Sequence, residues 1–381
     1  MEEIFRYIDR MKDYVMSQNM YELFIATSHF KYIECSKETT EFQEKESEGM
    51  SSRFFNKEKT EFRNIDGISF EKLDTMSKNS YPSYYLPASK IISPTSNNNA
   101  VALSFDDYKN KSVEMDEAFC ENIWNKVSKI CKKNNEELHK FYFQYHWEHY
   151  VILNSMGVEG YSVRSLSVFG FEKGLQNSFC SKVIPQYRSL TDSEMNQLIL
   201  GGNDIKKGRY KNPSYILFTD MALTQVIFIL LFLLNATSVI VGNSRFSYND
   251  IGKRLFSEKF TLNENSVENI VIMGSTDGEG TPRKSTPIIE RGILKHFISD
   301  YEHGNAVGGT GSSYRFSHRV PPMVQLSKAR ISGQLSTDQI YEKYDNIMII
   351  DNIIGISESF NPITTGLRAM ERLEFTRKVT F

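Results

Sequence analysis

Apolar and polar residues alternate with a period of two over residues 21–27 and 29–35, and this spacing predicts strands. After a charged segment, shorter extended runs recur at 53–55 and 60–62. Ahead of them, MEEIFRYIDRMKDYV spaces its apolar residues at helical intervals, which predicts an amphipathic helix over 2–16. Helical spacing returns at Phe119, Ile123, Val127 and Ile130, within a helix predicted over 115–135. The stretch FYFQYHWEHYVILNS, 141–155, is dense in aromatic and β-branched residues and reads as a strand. Gly157 and Gly160 fit a turn, YSVRSLSVF reads as the returning strand, and a helix is expected over 192–200.

Residues 75–100 hold a SNNN tract and several prolines, and read as a loose insert. GGNDIKKGRYKNP, 201–213, punctuates the chain with three glycines and a proline and marks a domain boundary. The predicted fold class is therefore α+β with two domains: a sheet-plus-helices domain over 1–205 and a β-rich domain over 206–381. In the second, residues 226–234 are entirely apolar, and 221–244 carry no charge. Polar residues at Thr224, Gln225, Asn235, Thr237 and Ser238 interrupt the run, so a buried helix over 221–236, then a strand over 238–241, is preferred to a membrane span. Further on, Ser285–Glu290 is expected to pair with 293–298 in a hairpin turned at Gly292, with a short helix near 337–344.

A net charge of −2 over 381 residues leaves no overall field to recruit nucleic acid or anionic lipid, so neither partner is expected. Four scattered cysteines form no C-x-x-C pair, and the amino terminus does not read as a signal peptide. The expectation is a reduced, cytoplasmic protein.

Two histidine clusters invite a metal reading. His146 and His149 lie three apart on a predicted strand and so face opposite ways, whereas His146 and Glu148 share a face. His296, Asp300 and His303 would share a face on a helix, but ILKHFISD alternates like a strand. H-E-x-x-H, G-x-S-x-G and nucleotide-binding glycine motifs are absent. GGTGSS at 308–313 is glycine-rich but lacks the lysine of a phosphate loop. Gly308, Gly309, Thr310, Gly311 and Arg315 are the candidate substrate-binding residues, because glycines there admit another backbone and Arg315 can pair a carboxylate. That carboxylate belongs either to a substrate or to the fold, and a purely structural turn is the more ordinary use of such a loop.

The run GSTDGEGTPRKSTPIIERGILKHFISD, 274–300, resembles the signature of the TldD/TldE (PmbA) metalloprotease family. GNAVGGTGSSYRFSHRVPPMVQL, 304–326, is similar to the family's small-residue loop with its arginine, with Gln325-Leu326 in place of Asn-Leu. ISGQLSTDQI at 331–340, GNSRFSYNDIGKRLFSEKFTL at 242–262 and LNSMG at 153–157 also resemble family segments, and GMSSRFFNKEKTEFRNIDG at 49–67 matches weakly. In that family a catalytic subunit carries H-E-x-x-x-H on a helix and a zinc-binding cysteine near its carboxyl terminus. Here the corresponding place reads MALTQVIFILLFLLNA, without His, Glu or Cys, and the sequence ends at Phe381 ahead of the expected cysteine. The resemblance therefore implies a TldE-like, non-catalytic subunit with no metal or catalytic residue of its own. The zinc is expected in a TldD-like partner, and the pair would cleave unfolded or leader peptides inside a closed chamber. The alternative is a stand-alone peptide-binding protein with the family fold and no protease activity.

Overall fold

The computed structural model describes residues 10–11, 13–15, 20–56, 59–78, 82, 84–86, 117–155, 157–173, 178–185, 190–201, 213–218, 220–265, 272–274, 276–281, 285–300, 303, 310–325, 329–332, 335–344, 347–350, 352–353 and 375–376. Most of the insert and of the boundary segment lies outside them.

The first half is dominated by long antiparallel strands. β1 (Met20–Ser36) and β2 (Thr40–Asn56) form a hairpin whose register runs from Cys35 opposite Thr40 back to Glu22 opposite Arg53. β3 (Lys59–Asp66) pairs with β2 only from Gly49 onward, and β4 (Tyr84–Leu86) pairs with β3. β5 (Leu138–Asn154) lies on the other side of β1, followed by β6 (Glu159–Lys173) and β7 (Ser178–Pro185). The two predicted runs of 21–35 are one continuous strand, and the charged segment before residue 53 is most of β2.

Alternation sorts the side chains of this sheet onto two faces. One face carries two apolar clusters. At one end Ile33, Cys35, Phe141, Phe143, Phe169 and Phe171 pack under two helices, Glu117–Lys133 (α2) and Asp192–Gly201 (α3). At the other, Leu23, Ile25, Val151 and Leu153 pack with Met11 and Val15 and with Leu73 and Met76 of α1 (Phe70–Ser77). Ser69 caps α1 by accepting from the Lys72 amide, which satisfies one orphan donor of its first turn. On the opposite face Phe24, Tyr150 and Ile152 are buried, while Phe30, Tyr32, Tyr142 and His146 remain half-buried.

The second half begins with β8 (Tyr215–Phe218) and α4 (Asp220–Leu233). The predicted strand over 238–241 is instead helix α5 (Ala236–Ile240). The cause is local: the Asn235 side chain accepts from the Thr237 amide as an N-cap, while Ala236 N–H donates to the Ile298 carbonyl. β9 (Thr261–Asn265) is central in a small sheet, and β10 (Ile272–Gly274) leaves that sheet to pair with β6 of the first. β7 and β10 thus share one edge of β6, β7 along 166–173 and β10 along 162–164.

β11 (Ser285–Glu290) turns tightly into β12 (Ile293–Leu294), with Ile289 opposite Leu294. Arg291 and Gly292 both take positive φ, +46° and +78°, as the mirror-image hairpin turns require. The returning strand is shorter than the predicted 293–298. β13 (Ser313–Tyr314) pairs with β14 (Met323–Val324), and β15 (Ala329–Ser332) completes the small sheet beside β9. α6 (Thr337–Lys343) opens on Ser336 in a capping box with Gln339, and β16 (Ile347–Ile350) runs parallel to β8. The core of this half gathers Leu234, Ala236, Leu262, Ile288, Ile289, Leu294, Phe297 and Ile298.

Candidate functional site

The glycine-punctuated turn after β10 is where the two halves meet most closely. Asp277 organises it. One carboxylate oxygen accepts from the Glu279 and Thr281 amides at 2.9 and 2.8 Å, and the other accepts from the Ser313 amide at 2.9 Å. Burial, and the nearby Glu279 charge, push the Asp277 carboxyl up from its ordinary range. Gly278 lies flat against Tyr314 and Arg315, where an added Cβ would sit 3.2 Å from their backbone.

Glu279 then reaches the first sheet. It accepts from Arg53 at 3.0 Å, and Arg53 also pairs with Glu22 through Nε at 3.1 Å and through a second nitrogen. Arg315 donates to Glu22 from the other side, to the Gly278 carbonyl at 2.8 Å, and stacks over the Phe24 ring at 4.6 Å. Two carboxylates and two guanidinium groups are thereby interleaved in a fully buried row. Such a row is tolerable only because each charge has opposite charges and fixed dipoles around it.

The candidate loop is consequently packed inside the protein where it is described. Thr310 is buried, donates to the Ser299 carbonyl at 2.7 Å and accepts from the Ser299 amide at 2.9 Å. Its hydroxyl also meets Ser312, which donates to Glu264. Gly311 is buried with φ of +76°. Of the two carboxylates open to Arg315 at the level of sequence, one of the fold occupies it. Gly308 and Gly309 lie outside the described residues. Beyond the loop, His318 and Arg319 both bind Asp66 at the end of β3, at 2.7 and 2.9 Å, and hold its carboxyl below the usual range.

A second polar group lies on the half-open face of the large sheet. His146 Nε2 is 3.3 Å from Glu148, as their shared strand face predicts. Arg164 approaches His146 Nδ1 at 3.1 Å and Glu148 at 3.5 Å, and Tyr314 donates to Glu148 at 3.2 Å. A guanidinium only donates, so Nδ1 is the acceptor at this contact, and Nε2 faces Glu148. His149, on the other face, is buried against Trp147.

The other histidine cluster does not assemble. His303 binds Asp300 at 2.7 Å, but His296 faces the Pro287 carbonyl at 2.8 Å. Among the described residues one trio has ligand atoms close enough for an ion: His29, Glu44 and Glu46, on the exposed end of the β1–β2 hairpin. There Lys31 already pairs with Glu44 at 3.2 Å. From Ala222 to Leu233 α4 offers no imidazole, thiolate or carboxylate, and its Leu, Ile, Phe and Val side chains have no lone pair to give a zinc ion; with Asp220 at its first position as its one carboxylate, the helix does not supply a zinc ligand set. Part of it faces outward: Phe228 is 69% and Phe232 42% exposed, with Leu223, Ile240 and Val241 also exposed. Among the described residues, no helix is long and apolar enough to cross a membrane.

Fold and site together define an α+β protein with a long antiparallel sheet, a smaller sheet and a buried row of charges between the two halves of the chain. Residues 212–370 match the family model described as PmbA/TldA metallopeptidase C-terminal domain. The crystal structure of TldE from Thermococcus kodakarensis superposes with a TM-score of 0.74 at 15% identity, over 91% of this chain and 83% of that one. An uncharacterized protein of Methanocaldococcus jannaschii is 30% identical over 117 residues, 30% of this chain and 27% of its own length. The metalloprotease TldD homolog of Buchnera aphidicola is 33% identical over 118 residues, 30% of this chain and 24% of its own length. The matched stretch thus spans about a quarter of those two relatives. Residues 212–370 thus match that family's C-terminal domain, and the chain shares the fold of the TldE structure.

Proposed function

We propose that this chain is the non-catalytic, TldE-like subunit of a heterodimeric zinc metallopeptidase whose catalytic subunit is TldD-like. One observation carries the reading: the helix at 220–233 presents Leu, Ile, Phe and Val where the resemblance calls for an imidazole and a glutamate. Side chains without lone pairs cannot hold a zinc ion or activate a water on it. Hydrolysis then falls to the partner, which supplies the zinc. The same helix exposes Phe228 and Phe232, and Ile240 and Val241 are exposed at the end of the next one, apolar positions available for association. Cleavage of unfolded or leader peptides, with this chain closing the chamber, follows from the family resemblance.

Co-expression with a TldD-like subunit from the same genome tests the reading. The expected result is a stable complex whose peptidase activity exceeds that of the TldD-like subunit alone. Phe228→Ser with Phe232→Ser is expected to weaken the complex while leaving the thermal transition of this chain in place. Stoichiometric zinc and peptidase activity in this chain by itself would overturn the proposal. Binding of peptide by this chain without any complex would favour a stand-alone binding protein.

A further inference from the structure

β2 is interior to the sheet for only part of its length. Its pairing with β3 begins at Gly49, and the last contact outward is the Glu48 carbonyl accepting from the Gly67 amide at 2.9 Å. Among the described residues, no strand pairs with the outer edge of β2 over 40–47, although its inner edge is paired with β1 throughout. Residues 41–46 are exposed on this edge.

The direction of the free groups follows from alternation. In an antiparallel pair the N–H and C=O of every second residue point the same way. Since the Glu48 carbonyl points outward, so do the backbone groups of Glu46, Glu44 and Phe42. Their side chains share one face, the helix-bearing face of the sheet, with His29 and Lys31 of β1 behind them. The other face carries Glu41, Gln43, Lys45 and Ser47. Four glutamates against one lysine lie along 40–48. His29 at 2.6 Å and Lys31 at 3.2 Å hold Glu44, which leaves Glu46 as the more exposed carboxylate on this face of the edge.

An open edge invites another strand, and like charges directly opposite each other oppose the pairing. A second copy of this chain would set glutamates against glutamates. A basic extended segment would set lysine or arginine against them, with main-chain hydrogen bonds supplying most of the affinity. We propose that the free edge of β2, residues 40–47, is a docking edge that takes an extended basic polypeptide segment by strand addition. The occupant lies antiparallel or parallel to β2, with apolar contact at Phe42 and charge pairing at Glu46. The inference stands apart from the subunit assignment, since it concerns this chain alone.

The test uses the full chain and a short fluorescent peptide alternating lysine with valine, followed by anisotropy at low and high salt. The expected result is saturable binding that weakens with salt, is lost when alternate peptide nitrogens are methylated, and is absent for the glutamate–valine counterpart. Glu46→Gln should weaken binding several-fold. Glu46→Pro should weaken it by a further factor of about ten, since it also removes an outward N–H while leaving the β1 ladder intact. Equal binding of the methylated or the acidic peptide would overturn the proposal. So would no binding, or self-association of this chain through the same edge.

Discussion

Glu22 lies between two guanidinium groups, Arg53 from the neighbouring strand and Arg315 from a loop 293 residues later in the chain. Removing it leaves both cations buried with too little negative charge. Glu22→Ala is expected to cost about 3–5 kcal/mol, read as a lower urea midpoint, with Glu22→Gln costing less because it keeps an acceptor. Asp277 is the other critical carboxylate, since its two oxygens answer three backbone amides. Asp277→Asn turns an N–H donor toward another donor and is expected to cost about 1–3 kcal/mol in the same measurement. His149 sets a pH dependence. Burial pushes its imidazole down to about 4, whereas in the unfolded chain it titrates near about 6.5. The unfolded state takes the proton first, so the contribution of neutral His149 is intact above about 6.5 and fades as pH falls toward about 4. His149→Phe should flatten stability against pH across that window. Sequence alone identified Arg315 as a carboxylate-seeking residue, but a partner so distant in the chain leaves no local trace.

The elements that were legible are those with one dry face. Helix Glu117–Lys133 shows its period because one side is buried, and strand Leu138–Asn154 is legible through its density of aromatic and β-branched residues, which fill the core beneath that helix. The first part of β2 was not legible, because TEFQEKESE is exposed on both faces and has no hydrophobic period to read. α5 was missed for another reason. Its β-branched residues favour a strand, but the cap at Asn235 and the bond from Ala236 to Ile298 decide for a helix. The β11–β12 turn was legible through Gly292 and is specific enough to predict a consequence. A Cβ there would lie 2.3 Å from the Phe256 carbonyl oxygen, on a residue that already needs positive φ. Gly292→Ala is expected to destabilise the chain by more than about 1 kcal/mol, whereas Arg291→Asn, at φ of +46°, should be tolerated within a few tenths. Thermal denaturation of the two variants checks the contrast.

At the level of the molecule, the two halves are fastened by charge as well as by strand pairing. Arg53–Glu279, Glu22–Arg315, Glu148–Tyr314 and Asp66–His318 all cross between them. A fragment ending at residue 205 would keep the long strands but strip the second-half partners from Glu22, Arg53 and Phe24. It is expected to melt well below the full chain, and the full chain to melt in one transition; calorimetry of both decides this. The shared edge of β6 has a consequence for biosynthesis. β7 is completed at residue 185, yet β10, its neighbour on that edge, ends at residue 274. At about 5–20 residues per second, the ribosome leaves that part of the edge bare for roughly 5–20 seconds while the nascent chain lengthens. In that interval the unfinished protein offers an unpaired backbone to chaperones and to other emerging chains, so its yield should respond to translation speed between those two strands.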